Sequence, residues 1–248
     1  MEKKVFFDGE FGKVCGVLHK VDNVSEIVIV VHGFSSHKGT SAVPISKRLN
    51  AIGLNALRID LDNRGESELD FKTGITIPNY VKQVRSAIDY CKSLGYKEIS
   101  LIGGSFGGIT VFSTALSSKD IKRMVLRVPV VDYKRHLERR FSSKELEKFK
   151  EEGFIPYNKS NGEKLKFTVD CYLTAKDYSM FDHADKLDIP VLIVQGDEDE
   201  AVEWEFAKDV VKLFRNGKLT MIKGANHGLC VDGDYSEGLS AVVDFFKD

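Results

Sequence analysis

The longest unbroken aliphatic run, Ile27 to Val31, is far too short for a membrane-spanning helix of about 20 residues, so no membrane partner is expected. Cysteine is sparse. Cys15, Cys91, Cys171 and Cys230 are scattered with no Cys-x-x-Cys pair, which excludes a zinc ribbon and a disulfide scaffold. Charge of one sign is missing too: 36 Lys and Arg stand against 37 Asp and Glu, so no basic field marks the chain as a nucleic-acid binder. After Met1-Glu2-Lys3-Lys4 only Val5-Phe6-Phe7 precedes Asp8, too little for a signal peptide. A reduced, cytosolic protein is the expectation. Internal repeats and low-complexity tracts are absent. With 42% apolar and 29% charged residues the chain is not a disordered one. Its 248 residues fit one α/β domain, 1–248.

What is there is an alternation. Val14–Lys20, Glu26–His32, Asn55–Asp60, Glu98–Ile102, Arg123–Val131, Val191–Gln195 and Lys218–Ile222 are mostly unbroken Val/Ile/Leu runs. Strands buried on both faces of a parallel sheet have that composition. Helical patterns lie between them. Pro78 opens one that carries Val81, Val84, Ile88 and Cys91 and stops at Gly95; Phe206, Val210, Val211 and Phe214 mark another, and Leu239, Val242, Val243 and Phe246 a third. The predicted fold is α/β, a doubly wound and mostly parallel sheet. Residues 132–179 break the rhythm. They hold a capping box at Ser142 and Glu145, a helix closed by Gly153, a turn at Asn161-Gly162 and a hairpin over Lys164–Thr174. This insertion is either a small lid or an outlying surface subdomain, and its place after the strand that follows Ser105 favours the lid.

Gly103-Gly104-Ser105-Phe106-Gly107 has the form G-x-S-x-G between a strand and an apolar helix. A nucleophile on so tight a turn needs small neighbours on either side. A phosphate loop is excluded, because Ser105 occupies the second glycine position of G-x-G-x-x-G and no Lys follows. A serine nucleophile needs a base. Of the six histidines only His227, in Gly224-Ala225-Asn226-His227-Gly228, follows the last core strand. The orienting acid lies in Asp197-Glu198-Asp199-Glu200, four consecutive carboxylates among which the choice is open. Backbone N–H groups of Phe34, after the turn His32-Gly33, and of Phe106 are candidates for an oxyanion hole. His32 has no His or Cys partner at ligand spacing, so no metal site is expected.

Together these residues resemble the α/β-hydrolase superfamily over nearly the whole chain. Two further stretches are similar to its small cinnamoyl/feruloyl esterase and monoacylglycerol-lipase-like group. One is His32-Gly33-Phe34-Ser35-Ser36-His37-Lys38, matching H-G-F-x-x-x-K. The other is Gly65-Glu66-Ser67-Glu68 with Phe71 and Thr76, similar to G-x-S-[DE]-G-x-F-x-x-x-T, with Leu69 in the place of a glycine and Thr76 one residue beyond the pattern's threonine. Other departures are Asp62-Asn63-Arg64, where Arg-Gly-His is more usual, and Gly104, where a His is common. The resemblance implies the α/β-hydrolase fold, a Ser105-His227-Asp199 triad (Asp199 fits G-x-x-D-x-x-V and Asp197 does not), and no cofactor. It implies a small-molecule ester substrate cleaved through an acyl-enzyme, with hydroxycinnamoyl or other small acyl esters as the class. Ser105 excludes relatives that need Asp or Cys at that position. Asp132, Tyr133 and Tyr172 are candidate substrate contacts or ordinary lid packing. Two other functions stay in view: a serine peptidase or amidase, and a non-catalytic ligand-binding member of the fold. The oligomeric state is not legible.

Overall fold

The computed structural model describes residues 2–34, 36–62, 65–69, 74–158 and 164–247. The chain opens on an antiparallel hairpin, β1 (Glu2–Gly9) and β2 (Gly12–His19). Then follow β3 (Glu26–Val31), α1 (Ala42–Ala51), β4 (Asn55–Ile59), the two-residue β5 (Glu68–Leu69) and α2 (Ile77–Ser93). Next come β6 (Glu98–Gly104), α3 (Phe106–Leu116) and β7 (Ile121–Arg127). After an insertion the alternation resumes with β10 (Val191–Gly196), α7 (Glu205–Val210), β11 (Gly217–Ile222) and α8 (Ser236–Asp244). The sheet runs β1-β2-β4-β3-β6-β7-β10-β11, with β5 beside β2. From β4 to β11 every pairing is parallel; those of β2 are antiparallel. The expected doubly wound, mostly parallel sheet is therefore the fold.

Strand alternation sends alternate residues to two cores. Ile27, Ile29, Leu101, Met124, Leu126 and Ile193 pack with residues of α2 and α3. Val28, Val30, Ile102, Val125, Leu192 and Val194 pack with residues of α1 and α8. Both sides of β3, β6, β7 and β10 are thus covered, which explains their unbroken apolar runs. Each fully buried side chain of this size contributes roughly 1.5–3 kcal/mol. Thr76 caps α2 by accepting from Asn79 N, and Pro78 stands in its first turn.

The structure corrects three boundaries. β1 escapes the apolar-run pattern because it is an edge strand with Val5 and Phe7 buried and Phe6 exposed. β7 stops at Arg127, four residues before the predicted Val131, because Val128 turns to φ 41°. The hairpin expected over Lys164–Thr174 instead pairs β8 (Phe154–Asn158) with β9 (Lys164–Thr168), and Asp170–Leu173 is a helical turn, α6. The turn proposed at Asn161-Gly162 lies outside the described residues.

The insertion also carries α4 (Tyr133–Arg140) and α5 (Ser143–Glu152). α5 has the reciprocal capping box of Ser142 and Glu145 and a left-handed Gly153 (φ 75°) at its end. Leu146, Phe149, Ile155, Phe167 and Cys171 form a small core of their own beneath it. Both ends of the segment meet at one place. Asp132 bridges Ser179, Tyr133 N donates to Tyr178 O (3.0 Å), and Met180 N donates to Val131 O (2.8 Å).

Candidate active site

β6 delivers Ser105 in a conformation that L-residues rarely adopt, φ 54° and ψ −120°. Strain of this kind costs about 1–3 kcal/mol and persists only when its surroundings enforce it. Here Ser105 N donates to Arg127 O (2.9 Å), while Ser105 O accepts from Gly108 N (2.8 Å) and Val130 N (3.2 Å). The flanking glycines are obligatory. A Cβ on Gly103 would lie 2.2 Å from Gly107 O, and one on Gly107 would lie 2.4 Å from His32 O. Gly104 faces Arg127, whose Nη1 would stand 3.8 Å from a Cβ there. That guanidinium is buried, and burial lowers it to about 10.

Phe106 opens α3, so its N–H belongs to the first turn, where backbone donors have no intrahelical partner. Phe34 is held close by. His32 is buried, donates from Nδ1 to Gly33 O (2.8 Å) and accepts at Nε2 from Leu61 N (3.0 Å), a pattern that fixes the neutral tautomer and the loop. The Phe34 ring meets those of Phe106 (5.4 Å) and Phe167 (4.2 Å).

The second stretch that resembles the esterases proves to brace this same loop. Lys38 Nζ lies 2.6 Å from Asp60 Oδ2 and 2.7 Å from Glu66 Oε2, and Lys38 N donates to Asp60 Oδ1 at 2.7 Å. Ser67 Oγ donates to Asp60 O and accepts from Cys15 N. A Cβ on Gly65 would come within 2.1 Å of Asp60 Oδ2. Hydrogen bonds from Lys38 and Lys4 bring Glu66 down to about 2. Of the same two stretches, Ser35 and Phe71 lie outside the described residues, as do Asn63 and Arg64. Asp60 is wholly buried, so Lys38→Met strands its charge. The variant is expected to lose about 3–5 kcal/mol of stability in urea unfolding.

At the far side of the sheet's C-terminal edge, β10 runs through Gln195 and Gly196 into the acidic loop. His227 Nδ1 lies 2.8 Å from Asp199 Oδ2 and 3.0 Å from its Oδ1. Asp199 is buried and further held by Ala201 N (2.9 Å), Val202 N (3.1 Å) and Gln195 Nε2 (3.1 Å). Burial alone would raise its carboxyl. The His227 hydrogen bond and charge and the two amides outweigh burial and hold it below its ordinary value. Asp197 goes elsewhere: its Oδ1 accepts from Gly224 N at 2.6 Å and ties the β10 and β11 loops together. Gly196 permits the approach, since a Cβ there would lie 2.1 Å from Ala225 O.

Ser105 and His227 line one cavity of about 300 Å³ with Phe34, Phe106, Val130 and Ala201. The insertion supplies the rest of the wall: Tyr133, His136, Leu137, Arg140, Phe141, Ile155, Phe167 and Cys171. Of the three candidate substrate contacts only Tyr133 is there. Asp132 is spent as the N-cap of α4, accepting from Arg135 N (2.9 Å) and Ser179 Oγ (3.2 Å). Tyr172 packs beside the insertion's core, with Lys150 Nζ 5.5 Å from its ring centre. Burial raises the Tyr133 hydroxyl and the Cys171 thiol, the latter to about 11. His136, Leu137 and Arg140 belong to no motif, yet their i+3, i+4 and i+7 spacing from Tyr133 places all four on one helix face. Among the described residues no group of three His, Cys, Asp or Glu is arranged to hold a metal ion, and no helix is long and apolar enough to cross a membrane.

Sheet order, strained serine turn and histidine–carboxylate pair together define an α/β-hydrolase. The family model described as serine aminopeptidase, S33, matches residues 22–166, and the chain belongs to that hydrolase family. Est1E from Butyrivibrio proteoclasticus, solved with ferulic acid bound, is 27% identical, with 98% of each chain covered and a TM-score of 0.82. The α/β hydrolase GrgF from Penicillium sp. sh18 is 18% identical over 100% of this chain and 98% of its own, with a TM-score of 0.84. Mouse α/β hydrolase domain-containing protein 10 is 16% identical over 99% and 98%, with a TM-score of 0.81. These last two share the fold. No curated protein matches the chain.

Proposed function

We propose that the protein is a serine carboxylic-ester hydrolase acting through an acyl-enzyme. The observation that carries this is the contact of His227 Nδ1 with buried Asp199, in a cavity that His227 shares with Ser105 on its strained turn. Ser105 Oγ attacks the ester carbonyl while His227, through its remaining nitrogen, takes the hydroxyl proton. The N–H groups of Phe34 and Phe106 receive the oxyanion. His227 then passes its proton to the leaving alcohol, and water repeats the sequence to free the acid. Asp199 keeps the imidazole oriented and stabilises its charged form.

An aromatic acyl group suits a wall of Phe34, Phe106, Phe141 and Phe167, and the ferulic acid bound by Est1E supports the hydroxycinnamoyl class. The insertion acts as a lid on this reading, since it furnishes much of that wall. Unpaired Cys15, Cys91, Cys171 and Cys230 suit a reducing, cytosolic setting. The S33 family name favours a second reading, a serine peptidase or amidase.

The experiment is a fluorophosphonate label followed by a panel of hydroxycinnamoyl, aryl and short-chain esters and amino-acid anilides. Labelling at Ser105 and turnover of the aromatic esters are expected. Turnover of anilides alone would establish the peptidase. A folded protein that neither labels nor turns over any substrate would be a binding protein.

A further inference from the structure

Apart from Ser105, His227, Tyr133 and Cys171, the cavity wall is apolar except where α4 contributes two side chains. There α4 turns His136 and Arg140 toward the space, and both residues, with Ala201, also line an adjoining surface depression of about 230 Å³. His136 is largely enclosed, its side chain 15% exposed. Its Nδ1 stands 3.5 Å from Oε2 of Glu203, which is equally enclosed at 14%. That separation is longer than a formed hydrogen bond, and His136 Nδ1 and Glu203 Oε1 are both buried without a hydrogen-bond partner among the described residues. Arg139 Nη1 faces Glu203 Oε1, also at 3.5 Å. Burial pushes the Glu203 carboxyl up, but His136 and Arg139 more than offset it, so Glu203 is held as the anion.

An apolar cavity has no use for this arrangement unless something charged enters it. Desolvating a histidine that lines a pocket, and the glutamate behind it, is costly. Nδ1 faces Glu203, so Nε2 is the ring nitrogen left to meet a group in the cavity. The neighbouring guanidinium offers a planar fork matched to a carboxylate. The polar end adjoins that surface depression, and Ala201 joins it to the loop of Asp199. The alcohol leaves from the side of His227, which protonates it, whereas the acyl chain occupies the aromatic interior.

We propose that His136 and Arg140 bind a carboxylate on the alcohol portion of the substrate, so that the enzyme prefers esters of hydroxy acids to esters of neutral alcohols. Glu203 and Arg139 are positioning residues that hold the imidazole. The proposal rests on the esterase reading of Ser105 and names its substrate class.

The test uses cinnamoyl esters of glycolate and of 4-hydroxybenzoate, each beside the ester of the corresponding amide, glycolamide and 4-hydroxybenzamide. The wild-type protein is expected to favour at least one acid over its amide by about tenfold or more in kcat/KM, the scale of a charge-assisted contact. That ratio falls toward one in Arg140→Gln and in His136→Gln, and Arg140→Lys restores part of it. A wild-type ratio near one for both pairs, or a ratio that survives both glutamine variants, overturns the proposal. Calorimetric binding of 4-hydroxybenzoate and 4-hydroxybenzamide to the Ser105→Ala protein reads the same site without chemistry. Equal affinities there would overturn it as well. Failure of the esterase reading looks different: Ser105 is not labelled by fluorophosphonate and no ester in the set is hydrolysed.

Discussion

Ser105→Ala lowers kcat for ester hydrolysis by about 10⁴–10⁶-fold, His227→Ala does nearly as much, and the double variant loses little more. The near-identity of the three values is the informative result. A hydroxyl without its base and a base without its hydroxyl are equally idle, so their contributions do not add. Active-site titration with the fluorophosphonate should be lost in Ser105→Ala and strongly slowed in His227→Ala. Circular dichroism should be unchanged in both, since neither side chain is part of the two main cores. Additive losses would place the two residues in separate roles and undo the proposed mechanism.

The second large effect separates two carboxylates two residues apart. Asp199→Asn is expected to reduce kcat by about 10⁴-fold, because an amide at that position selects the wrong imidazole tautomer. Asp197→Asn should stay within a fewfold of wild type, since the amide oxygen can still accept from Gly224 N. The same pair of variants carries a pH signature. Asp199 titrates below its ordinary value in the folded protein. Its contribution to stability is therefore complete above the unfolded value of about 4 and is lost as pH falls from there through the folded value. Urea midpoints measured from pH 6 down to pH 2 should fall less steeply for Asp199→Asn than for wild type. An unchanged acid limb would count against a paired, ionised Asp199.

The residues of the candidate site were legible in the sequence because backbone demands expose them. Ser105 needs glycine on both sides, His227 must follow the last core strand, and a loop after β10 must carry an acid. The cavity wall was not legible for the opposite reason. Asp132 was singled out for its chemistry, but a carboxylate just before a helix meets a nearer call on its oxygens, the open amides of the first turn. Tyr172 is drawn to the insertion's own core in the same way. Phe141, Ile155 and Phe167 come together only through the β8–β9 pairing and the packing of α5, contacts that no local period announces. β1 was missed on another ground: at the edge of the sheet one face is wet, so its pattern alternates where the central strands do not.

The closed base of the insertion has an evolutionary consequence. The strands on either side meet a segment whose two ends are already joined, at Asp132 and Ser179. What lies beyond that junction is, to the sheet, a single loop, and doubling a flexible loop's length costs only about 0.6 kcal/mol in closure entropy. Parts of the insertion that do not pack on Phe34, Phe106 or Glu203 can therefore be exchanged, lengthened or rebuilt above the junction without the strained turn at Ser105 or the pairing of Asp199 with His227 having to be re-established. Descendants of such a chain can diverge in diet while inheriting the same machinery for breaking the bond.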